Sequence, residues 1–192
     1  TMPGKLWVIA TPIGNLGDIT QRAIDTLKAV DVIAAEDTRV TRNLLGHFAI
    51  GTRMIAVHEH NERNAANGIV NLLQQGQCVA LVTDAGTPAV SDPGAKVVAA
   101  VHEAGFRVIP IPGVSALIAA LSASGEGEYG FSFCGFLPAS AGDAGVHAGI
   151  ASSSIPYCPG ELILALGVAA SDADGGGPVR VGGASITLNS LN

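Results

Sequence analysis

Short apolar runs alternate with amphipathic helical stretches from residue 5 to about residue 124, and that alternation leaves few folds open. KLWVIA (5–10), DVIAAED (31–37), RMIAVHE (53–59), CVALVT (78–83) and RVIPI (107–111) read as strands. Thr20 can cap a first helix whose apolar face is Ala23, Ile24, Leu27 and Val30. A second helix runs through Leu44 and Leu45 and stops near Gly46. A third shows Ala66, Ile69, Val70 and Leu73, with Gly76 closing it. A fourth carries Val97, Val98, Val101 and Ala104 up to Gly105, and VSALIAALSAS (114–124) follows the last strand. Most of the strands are apolar throughout, as strands covered on both faces are. The predicted fold class is therefore α/β, a five-stranded parallel sheet with helices on both faces.

In an open parallel sheet, ligands bind beyond the carboxyl ends of the strands. The chemically unusual residues fall there: TPIGNLGD (11–18), EDTRVTR (36–42), HEHN (58–61), TDAGTPAVSDPG (83–94) and PGVSA (112–116). In the fourth of these, Gly86 and Gly94 permit backbone angles closed to other residues, and Pro88 and Pro93 stiffen the loop. Two readings stand for it: a cradle for a flat ligand, or a tight connection with Asp92 capping the next helix. Neither GxGxxG nor a Walker GxxxxGK[ST] occurs, so the two commonest nucleotide-loop fingerprints are absent.

The 192 residues fit one ordinary domain or two small ones, and an apolar share of 48% is ample for a core. No run of eighteen apolar residues exists, which argues against a membrane span. The N-terminal TMPGKLWVIATPIGN does not read as a secretory signal. Cys78, Cys134 and Cys158 form neither a disulfide framework nor a zinc pattern, so no metal is expected and a reducing cytoplasm fits. A net charge of −6 gives no overall attraction to nucleic acid but leaves room for a local basic patch.

The pattern dissolves near residue 139. From there the chain has no Lys, a single Arg (Arg180) and a crowd of Gly, Ala and Ser. Only ELILALGVAA (161–170) reads as able to nucleate a helix or strand, and the rest is expected to be poorly or locally ordered.

ATPIGNLGDIT, AEDTRVTRNLL, HEHN, DAGTPAVSDPG, PGVSALIAALSASG and GFLP together resemble the N-terminal half of the bacterial rRNA small-subunit (cytidine-2′-O)-methyltransferases, a branch of the tetrapyrrole methylase class. The resemblance runs from residue 5 to about residue 138. It implies an α/β methylase domain over 1–125, a linker and the start of a second domain over 126–138, and a truncated or aberrant tail over 139–192, expected to be a shifted or shortened reading frame. It implies S-adenosylmethionine as cofactor, with Pro12 near the cleft mouth, Ala85, Gly86, Thr87 and Val90 along one side, Ser115 and Ala116 on the other, and Leu137 leading to the second domain. The implied partner is small-subunit rRNA or the assembled small subunit, in the cytoplasm, with a homodimer expected and no membrane.

Transfer to a ribose 2′-hydroxyl needs a route for its proton. Glu36, Asp37, His58 and Glu59 are the catalytic candidates, although each alone also reads as a helix cap or a wet strand end. Asp18 reads as a cap for the helix that starts near Thr20. Arg39, Arg42, Asn61 and Arg63 are candidate RNA contacts, with the cap of its own helix the preferred reading of Asn61. The expected function is 2′-O-methylation of a cytidine in small-subunit rRNA, impaired by loss of the second domain. The alternative is a non-catalytic α/β module that folds but binds neither cofactor nor RNA unaided.

Overall fold

The computed structural model describes residues 4–90 and 93–124, together with strands at 131–137, 162–167, 178–181 and 184–187. Internal contacts gather into two units, Thr1–Ser115 and Ala116–Asn192; the sequence reading puts its domain boundary at 125.

The first unit holds β1 (Lys5–Ile9), β2 (Val32–Ala35), β3 (Met54–Ala56), β4 (Val79–Val82) and β5 (Arg107–Ile111) in one sheet, ordered β3-β2-β4-β1-β5. Every pairing is parallel, as the run of apolar strands requires. β2 and β4 are buried at every position.

The helices are α1 (Gln21–Ala29), α2 (Thr38–His47), α3 (Glu62–Gln74) and α4 (Ala95–Glu103). Side chains on a strand alternate between faces, and the core divides accordingly. Ile9, Ile33, Ala35, Ala80 and Val82 pack with Ala23 and Leu27 of α1 and Leu45 of α2. Leu6, Val32, Ala34, Val79 and Leu81 pack with Ala66, Ile69 and Leu73 of α3 and Val97 and Val101 of α4. Leu27, Ile69 and Leu73 are fully buried, and each such side chain contributes about 1.5–3 kcal/mol.

Helix ends follow the local chemistry. Thr20 caps α1 by accepting from the Ala23 amide at 3.0 Å. Asp18 does not take that role; it is exposed in a single 3-10 turn, Leu16–Asp18. Gly76 and Gly105, with φ of +82° and +78°, end α3 and α4. Asp92 lies outside the described residues. β3 is shorter than the expected 53–59. As an edge strand it pairs only with β2, and beyond Val57 the chain turns at His58–Asn61 instead of extending.

In the second unit, α5 (Ala116–Ser124) precedes β6 (Phe131–Leu137), which pairs in parallel with β7 (Leu162–Gly167) across a register shift between Phe133 and Phe136. β8 (Pro178–Val181) and β9 (Ala184–Thr187) pair antiparallel. This last pair was not expected; its sequence cue is Gly182-Gly183 between two short runs rich in β-branched residues. The expectation of disorder over the rest of the tail falls outside the described residues.

Candidate functional site

Strand order decides where the site lies. β1 leads across β4 to β2, while β4 leads across β1 to β5. Right-handed crossovers running in opposite directions place their helices on opposite faces. The chain therefore parts at the carboxyl ends of β1 and β4, and a crevice opens there.

The loops bordering this crevice are tied together. Thr11 and Gly86 exchange two backbone hydrogen bonds, of 3.0 and 2.9 Å. The Thr11 hydroxyl donates to the Thr83 carbonyl at 3.1 Å, and the Thr87 hydroxyl donates to the Val114 carbonyl at 2.9 Å. The loops after β1, β4 and β5 are thus held as a group. Gly86 sits at φ +85° and Ala89 at φ +65°. The left-handed region costs a non-glycine residue about 1–2 kcal/mol, so Ala89 stores strain in this loop. A Cβ built on Gly86 would meet Ile13 Cγ2 at 3.5 Å, which is ordinary contact. Backbone angle, more than space, asks for glycine there.

A second set of ties joins β2 to β4. The Thr83 hydroxyl donates to Glu36 Oε2 at 2.7 Å, and the Asp37 amide donates to Asp84 Oδ1 at 3.0 Å. Asp37 caps α2 by accepting from the Arg39 amide at 2.8 Å, and the Arg39 guanidinium returns to the same carboxylate at 2.7 Å. The Arg39 side-chain hydrogen bond, with the amide beside it, holds the Asp37 carboxyl at about 2, below its ordinary value. Asp84 behaves oppositely. Desolvation is the leading cause that raises its carboxyl, helped by the negative charges of Glu36 and Asp37.

Two clefts meet at Asp84. One, of about 450 Å³, is lined by Glu36, Asp37, Thr38, Arg39, Ala56, His58 and Asp84. The other, of about 390 Å³, lies between the loop after β1 and the outer side of α2, with Pro12 on its wall. The structure thus brings Glu36, Asp37, His58 and Arg39 to one cleft. Glu59 is exposed in the adjacent turn, and Arg42 and Arg63 are exposed on α2 and α3. Asn61 occupies the N-cap position of α3 without making the capping bond. Its amide instead accepts from the His58 N–H at 2.8 Å and donates to the Ala56 carbonyl at 3.0 Å. Ala85 and Val90 are exposed, and Thr87 and Ser115 are half-buried. Ala116 opens α5 and Leu137 ends β6, both in the second unit.

Sequence reasoning passed over two residues. Asp84 stands at the end of β4, where the strand-end rule points, but it was read only as part of its loop. Glu62, directly after HEHN, was given no role of its own. It is in fact buried and accepts from the Gly94 and Lys96 amides at 2.9 and 3.1 Å. Among the described residues, no group of His, Cys, Asp and Glu is placed to hold a metal ion, and no helix is long and apolar enough to cross a membrane.

A family model for Tetrapyrrole (Corrin/Porphyrin) Methylases matches residues 5–132. The chain is 55% identical over 136 residues to the Ribosomal RNA small subunit methyltransferase I of Escherichia coli O157:H7, covering 71% of this chain and 48% of that protein. It is 57% identical over 134 residues to the protein of the same name from Synechocystis sp., covering 70% and 48%. The chain thus spans about half the length of the curated relatives it matches. Among solved structures, it is similar to uroporphyrin-III-C-methyltransferase from Thermus thermophilus, with a TM-score of 0.58, 19% identity and coverage of 86% of this chain and 68% of that one.

Proposed function

The chain belongs to the tetrapyrrole (corrin/porphyrin) methylases, and from that premise we propose that it carries the strand-end half of an S-adenosylmethionine-dependent methyltransferase acting on the ribose 2′-oxygen of a cytidine in small-subunit rRNA. The observation that carries this reading is the tying of three loops around Gly86 at the parting of β1 and β4. A set of loops held this firmly presents a preformed surface, as ligand sites usually do.

The residues on that surface fit the cofactor. Ala85 and Val90 are small or medium-sized and exposed, and Gly86 adds no side chain beside Ile13. Ala85, Gly86, Thr87, Val90 and Ser115 would hold S-adenosylmethionine, with Pro12 at the mouth; Ala116 and Leu137 are assigned to it by family resemblance. The cofactor supplies an electrophilic methyl group when bound. The chain's own groups do the remaining work. Glu36, Asp37, His58 and Glu59 offer acceptors for the 2′-hydroxyl proton, and Arg39, Arg42, Asn61 and Arg63 offer contacts to phosphate and sugar. The setting is cytoplasmic, the partner is rRNA or the assembled small subunit, and the assembly is a homodimer.

The test joins residues 5–138 to the remaining half of a curated relative and follows labelled methyl transfer to small-subunit rRNA. Resistance of one cytidine linkage to alkali is the expected result, because a 2′-O-methyl group blocks cleavage there. Transfer to a base atom, or to no RNA, would sink the reading. Transfer by the fusion but no cofactor binding by this chain alone would leave the chain as a non-catalytic module.

A further inference from the structure

Apart from Pro12, the cleft between the loop after β1 and the outer side of α2 has no part in the cofactor or proton-transfer roles above, and Asp84 stands where it meets the other cleft. Its composition is unusual for a solvent-facing surface. Helix α2 buries Thr41 and Leu45 against the sheet. From α2 the cleft is lined by Val40, Asn43, Leu44 and His47, a second stripe at helical spacing. The outer stripe of a surface helix is ordinarily polar, yet this one keeps Val40 exposed, while Leu44 beside it is half-buried against the core. Across from them the loop contributes Leu16. Leu16 and Val40 are 41% and 43% exposed, two of the four large hydrophobic side chains left exposed among the described residues. Asn43 is also exposed, and its amide makes no hydrogen bond to another described residue.

Resting on the reading of this chain as half of an RNA methyltransferase, we propose that this cleft is a nucleobase subsite, with Leu16 and Val40 gripping the faces of an unstacked base and Asn43 reading its edge. Single-stranded RNA is recognised in this way, by apolar contact with base faces and hydrogen bonds to base edges. An enzyme that reaches a nucleotide within folded RNA has to take a base out of its stack and hold it. An amide offers both a donor and an acceptor, which suits the mixed edge of a pyrimidine. The cleft volume of about 390 Å³ lies in the range of small-molecule sites. Asp84 at its rim disfavours a phosphate there and leaves the base as the part that enters.

The same chemistry comes from two sources, an RNA base or the adenine of the methyl donor, and the experiment separates them. The full chain is titrated with cytidine 5′-monophosphate, uridine 5′-monophosphate and S-adenosylmethionine while its backbone amide signals are followed by NMR. The expected result is that cytidine 5′-monophosphate shifts the amides of residues 11–16 and 38–47. Asn43→Ala should weaken that binding about tenfold and flatten the preference for cytidine over uridine, since an edge contact carries about that much discrimination. Leu16→Ser, an exposed change with little bearing on folding, should weaken both nucleotides alike. Shifts in these amides with S-adenosylmethionine and not with the nucleotides would overturn the assignment in favour of the donor's adenine. Nucleotide shifts elsewhere, or none, would overturn it outright. The methyl-transfer assay described above stands or falls independently of these shifts.

Discussion

Two carboxylates at opposite ends of one connection show how similar groups come to serve different ends. Glu62, the first residue of α3, is buried and saturated. It accepts from two amides at the start of α4 and pairs with the Lys96 ammonium at 3.2 Å. Burial pushes its carboxyl up, but the Gly94 and Lys96 hydrogen bonds outweigh that and leave it below the ordinary value. Asp84, at the end of β4, accepts one amide and faces two clefts. Desolvation raises its carboxyl. Where the fold supplies donors, the charge is a strut. Where it withholds them beside a cavity, the charge is left available to something else, which is the physical mark of a site.

The comparison is broken most directly at Glu62. Glu62→Ala strands two amides in a buried place and removes the cap of α4, and should cost about 2–3 kcal/mol, read as a lower urea midpoint. A loss too small to measure would mean that water replaces the carboxylate and that Glu62 is no strut. Glu62 also sets an acid limit. Its pKa lies below 4.5 in the fold, so its stabilisation is present above that value and fades as pH falls through the lower, folded one. Glu62→Gln should remove that part of the acid dependence.

Next comes the residue that Glu62 holds. Gly94 sits at φ +127°, and a Cβ there would lie 3.1 Å from Leu81 Cδ2. Gly94→Ala should cost about 2 kcal/mol; thermal denaturation measures it, and an unchanged midpoint would show that the loop re-forms with another cap.

Asp84 should respond with the opposite sign. Its carboxyl is raised above 3.8, so its contribution to stability is full below that pH and is lost as pH rises through the folded value; ionised at neutral pH, it is a small burden. Asp84→Asn keeps an oxygen for the Asp37 amide and should leave the chain slightly more stable at neutral pH, the gain being kept small by solvent screening. A clear loss of stability at pH 7 would make Asp84 a strut like Glu62.

The smallest expected change in stability is at Arg39, exposed and paired with Asp37. Arg39→Ala should leave the urea midpoint where it is. Its effect belongs in RNA binding, where loss of a phosphate contact flattens the dependence on salt. An unchanged slope would assign Arg39 to the α2 cap alone.

Much of the architecture was legible because it is written in local pattern. Apolar runs gave the strands, Thr20 marked the start of α1 and Gly76 and Gly105 the ends of α3 and α4, and the strand-end rule pointed to loops that the structure ties together. What escaped depends on partners distant in sequence. Glu62 reads as one more charge in HEHNE until α4 arrives more than thirty residues later with two amides for it. The side chain of Asn61 bonds backward to residues 56 and 58 and not forward into its helix, and residue type alone cannot distinguish the two. The angle at Ala89 likewise leaves no trace in composition.

The strand order has a consequence for the newly made chain. Leu6 of β1 waits for Val79 of β4, and its other neighbour, β5, comes later still. At about 5–20 residues per second, roughly 4–15 s of synthesis separate the two. During that interval β2 and β3 can pair, since Ile33 meets Met54, but the sheet has a gap where its middle strand belongs. β4 is the last piece of an arch, buried at every position and flanked on both sides. Ordering of β1 is therefore a late event, and pulse-labelled hydrogen exchange during refolding should find the amides of β2 and β3 protected before those of residues 5–9. Until then KLWVI is an exposed apolar ribbon on the growing chain, a stretch suited to a chaperone's grip.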